Sequence, residues 1–267
     1  RTRRVRAPVI AMIHHPLGLE TGLSADRAAF LRRNEAAALS HATHTIVPSA
    51  ETARILVSEF GGDPNQITIA PPGFHRPRVE RQPCAPPLIL SVGLLAPRKG
   101  HDVLLDALAQ IVDLPWQATI VGRQYDPEVT EALKNQRAKL DLDARVAFAG
   151  ELPAPELAAM FNAASIFALA TRYEGYGMAL CEALLYGLPI VSCRAGAVPE
   201  TTRGAGILVP PDDSPSFAEA LRCLLSNPDI AEDHRARALR VSEGLPDWET
   251  TARIFADVIR RVSGSRS

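Results

Sequence analysis

Residues 88–122 read LILSVGLLAPRKGHDVLLDALAQIVDLPWQATIVG, and this stretch decides the fold. LILSVG (88–93) is an apolar run too short for a helix, and it ends on glycine. From about His101 to Val112 the apolar residues recur at helical spacing, and QATIVG (117–122) is a second apolar run. A strand covered on both faces is apolar throughout, and a helix carries the chain back to start a parallel neighbour. The same unit recurs downstream. A helix over about 128–140 precedes RVAFAG (145–150), and one over about 155–163 precedes SIFALA (165–170). A helix over about 178–186 precedes LPIVS (188–192). GILVP (206–210) follows, then helices near 216–225 and 229–243. The pattern predicts a complete doubly wound α/β domain.

Outward from it, residues 71–87 hold six of the chain's 22 prolines and show no apolar period, so they read as a linker. Before them lies a smaller α/β piece. VIAMI (9–13) reads as a strand ending in His14-His15-Pro16, and 26–40 as a helix. THTIV (43–47) reads as a strand and 49–60 as a helix capped by Ser49 and stopped by Gly61-Gly62; 67–70 is a third short strand. At the other end, 248–262 is one more amphipathic helix. The expected organisation is 1–75 as a partial first domain, 76–87 as linker, 88–245 as the main domain and 246–267 as a terminal helix.

The chain has 267 residues, 46% hydrophobic and 22% charged, with a formal charge of −1, so wholesale disorder and a nucleic-acid-coating role are excluded. Cys84, Cys181, Cys193 and Cys223 form no C-x2-C pair, which argues against a zinc site or a disulfide framework and for a reducing, cytoplasmic compartment. No stretch approaches the ~20 apolar residues of a membrane span. Arg1, Arg3, Arg4, Arg6, Arg32 and Arg33 would suit a peripheral contact with an anionic membrane surface, or are solvated charges.

In doubly wound sheets ligands bind at the carboxyl ends of the strands, where strand order reverses. Three loops carry the chemistry. Gly93–Gly100 (GLLAPRKG) combines close backbone approach with Arg98 and with Lys99, one of three lysines against 26 arginines. It suits an anion such as pyrophosphate, or it is a basic surface turn. In the second loop Glu174 and Glu182 lie eight residues apart, around Gly175, Gly177 and a helix start. A helical span would separate them by about 12 Å. That exceeds the roughly 5–9.5 Å of paired glycosidase carboxylates and suits two ends of one extended ligand. The amides of Gly177, Met178 and Ala179, at the helix start, favour an anion between them. Sugar, diphosphate and ribose fit that layout; the alternative is an ordinary helix-dipole pair. The third loop, RAGAVP (194–199), fits close approach to a ligand or a structural turn. No G-x-G-x-x-G with a downstream acid follows any strand, which disfavours a nicotinamide dehydrogenase.

GLLAPRKG, the Glu174-x7-Glu182 element, AGAVPE and GILVPPDD, in this order and spacing, resemble the donor half of a GT-B fold glycosyltransferase of family 4. The resemblance covers about 86–262, and residues 9–75 are similar to the back half of that fold's acceptor domain. It implies two Rossmann-like domains with parallel sheets, the first incomplete, an active site in the cleft between them, and a last helix, the one with Trp248 and Ala252, crossing back to pack on the first domain. It implies transfer of a hexosyl unit from a nucleoside diphosphate sugar to a carbohydrate or lipid-linked acceptor hydroxyl, with retention and without metal or other cofactor. Lys99 would hold the diphosphate beside Gly93, with Arg98 as second cation because Leu94 stands where the family has arginine. Glu174 would face the transferred sugar and Glu182 the ribose. Gly177, Met178 and Ala179 would meet phosphate and sugar, Gly150, Glu151 and Leu152 the base, and His14 the acceptor side of the sugar. The strands and glycine-rich loop expected before Val9 are missing, so nucleotide-sugar binding without turnover is the alternative expectation.

Overall fold

The structure is a computed structural model and describes residues 7–264. Arg1, Arg3, Arg4 and Arg6 lie outside the described residues. Contacts divide the chain into two units. Unit 1 holds the residues up to His75, the tripeptide Glu174–Tyr176 and the chain from Leu245 onward; unit 2 holds Arg76–Tyr173 and Gly177–Gly244.

Unit 1 begins with β1 (Ile10–Met12), α1 (Ala25–Leu39), β2 (His44–Val47), α2 (Ala50–Phe60) and β3 (Ile67–Ile69). The three strands form a parallel sheet in the order β1-β2-β3, with Ile46 opposite both Met12 and Thr68. Ser49 Oγ caps α2 by accepting from Thr52 N at 3.0 Å, and Gly61 ends the helix at φ 70°, a conformation that favours glycine.

Unit 2 alternates strand and helix: β4 (Leu88–Val92), α3 (His101–Ala109), β5 (Gln117–Val121), α4 (Pro127–Lys139), β6 (Val146–Gly150), α5 (Ala154–Ala163), β7 (Ala164–Leu169) and α6 (Met178–Leu185). It continues with β8 (Ile190–Cys193), α7 (Val198–Thr202), β9 (Gly206–Val209), α8 (Ser214–Ser226) and α9 (Pro228–Glu243). All six strands pair in parallel, in the order β6-β5-β4-β7-β8-β9. The chain runs outward from β4 to β6 and then returns to β4's other side, so strand order reverses between β4 and β7. A continuous apolar core covers the sheet, including Leu104, Leu105, Trp116, Ile120 and Phe217.

Residues 76–87, read as a linker, have no helix or strand and group with unit 2. Glu80 N and Gln82 N donate to Asn162 at the end of α5, at 2.8 and 2.9 Å. The terminal helix α10 (Trp248–Gly264) belongs to unit 1, where Val258 and Val262 pack with Ile46 and Ala70. Ala252 faces solvent, and Trp248 is half exposed. Thr251, Val258 and Val262 occupy the buried stripe, set by the helical period from the neighbouring positions. α3 stops at Ala109 rather than continuing to Val112, and Gln110 and Ile111 follow as tighter turns, their amides donating to the Ala107 and Leu108 carbonyls three residues back. The RAGAVP turn contains the start of a short helix, α7, with Pro199 in its first turn.

Candidate active site

The loop after β4 is built on close contacts that only glycine permits. A Cβ on Gly93 would meet Cγ, Cδ and Cε of Lys99 at 3.2–3.4 Å, so the lysine stem lies along the Gly93 backbone at the carboxyl end of β4. Pro97–Lys99 form one tight turn, and Gly100 at φ 64° passes the chain into α3. A Cβ on Gly100 would stand 1.9 Å from the Ala170 carbonyl oxygen, and one on Gly122 would stand 1.8 Å from that of Gly93. The chain ends of β4, β5 and β7 therefore meet backbone to backbone at the reversal point.

His101, the first residue of α3, is 1% exposed. Its Nε2 hydrogen-bonds the Leu94 carbonyl at 3.1 Å, pinning the loop. Burial pushes its pKa down to about 4, with backbone hydrogen bonds to Leu94 and Gly93 opposing, so the ring is neutral at pH 7 and Nε2 donates. Sequence reasoning passed over this residue, because a histidine's burial is invisible without the fold.

The loop after β7 is tied to the loop after β4. Arg172 N and Thr171 Oγ1 both donate to the Arg98 carbonyl, at 2.8 and 3.1 Å, and Arg98 Nη1 donates to the Tyr173 carbonyl at 3.2 Å. Arg98 thus makes a structural contact in addition to its expected charge. The Arg172 guanidinium forks onto Asp102 of α3, at 3.0 and 2.6 Å, and its Nε donates to Asp212, after β9, at 2.7 Å. Hydrogen bonding to Asp102 in particular raises its pKa further. Nothing in the spacing of Asp102, Arg172 and Asp212 announced this cluster.

Gly177 starts α6 at φ 91°, and its carbonyl accepts from Leu180 and Cys181 N. The amides of Gly177, Met178 and Ala179 have no hydrogen-bond partner among the described residues, and no side chain caps the helix. These are the orphan donors of a helix start. One turn further, the half-buried Glu182 carboxylate has no hydrogen-bond or ion-pair partner among the described residues, and burial raises its pKa. The helix starts at Met178, so the span from Glu174 is not helical and the 12 Å figure does not apply. Glu151 is exposed and Leu152 half-buried, just after Gly150 at the carboxyl end of β6.

Glu174 and His14 belong to unit 1. Glu174 is 5% exposed. Its neighbour Gly175 accepts hydrogen bonds at its carbonyl from Ser49 Oγ (2.7 Å) and Thr52 Oγ1 (3.2 Å). A Cβ on Gly175 would lie 2.2 Å from the His14 carbonyl oxygen, so the chain brings the His14 backbone beside Glu174's neighbour. The His14 residue itself is exposed.

A three-stranded and a six-stranded parallel sheet in one chain, with glycine-lined loops at the reversal point of the larger, define an α/β protein of the GT-B type. Residues 86–227 match the family described as Glycosyl transferases group 1, and residues 1–76 match Glycosyltransferase Family 4. The chain belongs to the group 1, family 4 glycosyltransferases. It is 29% identical over 254 residues to the D-inositol 3-phosphate glycosyltransferase of Corynebacterium efficiens, covering 82% of this chain and 60% of that protein. To the enzyme of the same name from Nocardia farcinica it is 30% identical, covering 80% and 51%. The chain thus spans little more than half the length of these relatives. Among solved structures, the sucrose-phosphate synthase of Thermosynechococcus elongatus superposes with a TM-score of 0.82 at 24% identity, over 96% of this chain and 68% of that one. Anabaena Alr3699/HepE in complex with UDP-glucose superposes with a TM-score of 0.80 at 22% identity, over 96% and 72%. Among the described residues, no helix is long and apolar enough to cross a membrane.

Proposed function

We propose that the protein transfers a hexosyl unit from a nucleoside diphosphate sugar to an acceptor hydroxyl, with retention, and that the loops after β4 and β7 of unit 2 hold the donor. The observation that carries this reading is the pairing, around the reversal point, of unpartnered amides at the start of α6 with an unpartnered, half-buried Glu182 one turn beyond them. The amides suit phosphate, and an ionised carboxylate suits the vicinal hydroxyls of ribose. Lys99, with its stem fixed along Gly93, adds a cation at the same sheet end.

As the glycosidic bond breaks, charge develops on the departing nucleoside diphosphate. Preorganised donors stabilise such charge most where little rearrangement is needed. Lys99, Arg98 and the α6 amides take that part without a metal ion. The acceptor hydroxyl attacks on the face the diphosphate leaves, with a donor phosphate oxygen taking its proton. Glu174 holds the transferred sugar's hydroxyls, His14 serves its acceptor side, and the 150–152 turn lies at the base. The acceptor is a carbohydrate or lipid-linked alcohol. HepE was solved with UDP-glucose, so uridine is the base to test first.

The test is a thermal-shift panel of UDP-, GDP- and ADP-sugars, followed by assays of donor hydrolysis and transfer. A ligand at 100 times its Kd stabilises by about 2.7 kcal/mol. One nucleotide class should raise Tm and support turnover. A rise without turnover supports a binding protein instead, and no rise from any nucleotide refutes the reading.

A further inference from the structure

We propose that Arg172 is a positioning residue that sets the donor loops through Asp102 and Asp212 without touching the donor. This rests on the reading of those loops as a diphosphate site.

Three observations carry it. First, four of the guanidinium's five N–H donors are engaged. Both terminal nitrogens meet the Asp102 carboxylate, Nε meets Asp212, and Nη1 also donates to the Pro97 carbonyl inside the turn that ends in Lys99. Second, one residue thereby joins three loops. Arg172 lies after β7, Pro97 and Asp102 flank the end of the loop after β4, and Asp212 follows β9. Third, the surroundings are consistent with a fixed strut. The Arg172 side chain is 20% exposed, its own amide and Thr171 Oγ1 both bond Arg98 O, and Asp212 holds φ 60°, a conformation few residues other than glycine, asparagine and aspartate adopt. A planar guanidinium with donors in fixed directions can meet all these acceptors at once, whereas a lysine ammonium cannot reproduce the fork. With two carboxylates on one cation, the charge is already answered, so Arg172 has little left to offer a diphosphate.

The experiment measures binding of inorganic pyrophosphate and of UDP by calorimetry, with Tm of each variant as a folding check. The proteins are the wild type, Arg172→Ala, Arg172→Lys, Asp102→Asn/Asp212→Asn, the combination of that pair with Arg172→Ala, and Lys99→Ala. Arg222→Ala is the control, since it removes an arginine that pairs with Asp113 away from these loops. If Arg172 positions, Arg172→Ala and the double Asn variant each weaken binding about tenfold. Their combination weakens it no further, Arg172→Lys fails to restore it, and Arg222→Ala leaves it unchanged. If Arg172 instead contacts phosphate, the double Asn variant frees the guanidinium and leaves binding unchanged or tighter, which overturns the proposal. The proposal is also overturned if Arg172→Ala binds normally while Lys99→Ala does not; in that case the diphosphate reading stands. If Lys99→Ala binds normally, the diphosphate reading itself fails. Should Arg172→Ala not fold, the double Asn variant alone decides by the sign of its effect, because the Asp102 and Asp212 side chains are 45% and 60% exposed and Asn matches Asp in size.

Discussion

Glu182 is held in α6 at a cost to the unliganded fold. A half-buried carboxylate without a partner prefers its neutral form, and that is what its raised pKa expresses. The native state then binds a proton more readily than the unfolded chain, so ionisation at neutral pH destabilises the fold, and acidification through the native pKa relieves it. Glu182→Gln should raise Tm at pH 7 by about 2 °C, measured by calorimetry, while weakening nucleoside diphosphate binding about tenfold. A gain in stability joined to a loss of binding marks a residue kept for its ligand. Lys99→Ala should lower kcat by about 100-fold, the scale of removing one preorganised charge-stabilising donor; activity within a few fold of wild type would remove Lys99 from that role. Lys99 and Glu182 stood out as candidates beforehand because a cation in a glycine loop and an acid in an apolar helix are anomalies of composition. Asp102, Arg172 and Asp212 were not, because 70 residues separate the first two and 40 the next, and no local pattern records that they meet.

Among the elements, the loop after β4 packs backbone against backbone. Gly100 has both a positive φ and a carbonyl where a Cβ would stand, so Gly100→Ala should destabilise unit 2 by about 3 kcal/mol, read from urea unfolding. His101 gives the same loop a pH dependence. Its native pKa of about 4 lies below the ordinary histidine value of 6.5, so between those values the unfolded chain takes up a proton that the native ring refuses. Stability is then full above pH 6.5 and falls as pH drops toward 4. His101→Gln keeps a donor for the Leu94 carbonyl and does not titrate, so its Tm should lose less than the wild type's between pH 6.5 and 4; equal slopes would exclude the histidine as the cause. Apolar runs ending in glycine, alternating with amphipathic segments, made most strands and helices readable to within a few residues. Of α7 only a start after the RAGAVP turn was readable and not its extent, since five residues with Pro199 among them carry no period.

At the scale of the molecule, the parallel character of both sheets followed from strands apolar on both faces and from the helices between them. Membership of Glu174–Tyr176 in unit 1 did not follow, because it depends on Ser49 and Thr52 reaching the Gly175 carbonyl more than 120 residues along the chain. The central claim concerns unit 2: its loops at the β4–β7 reversal grip a diphosphate between the Lys99 ammonium and the α6 amides, with ribose on Glu182. The most direct test is a crystal structure of the chain with UDP, or with whichever nucleoside diphosphate raises Tm most. The account predicts phosphate oxygens within hydrogen-bond reach of Lys99 Nζ and of the Gly177–Ala179 amides, and a ribose hydroxyl on the Glu182 carboxylate. A nucleotide ordered elsewhere on the chain, with those amides and Glu182 still without a partner, would contradict it.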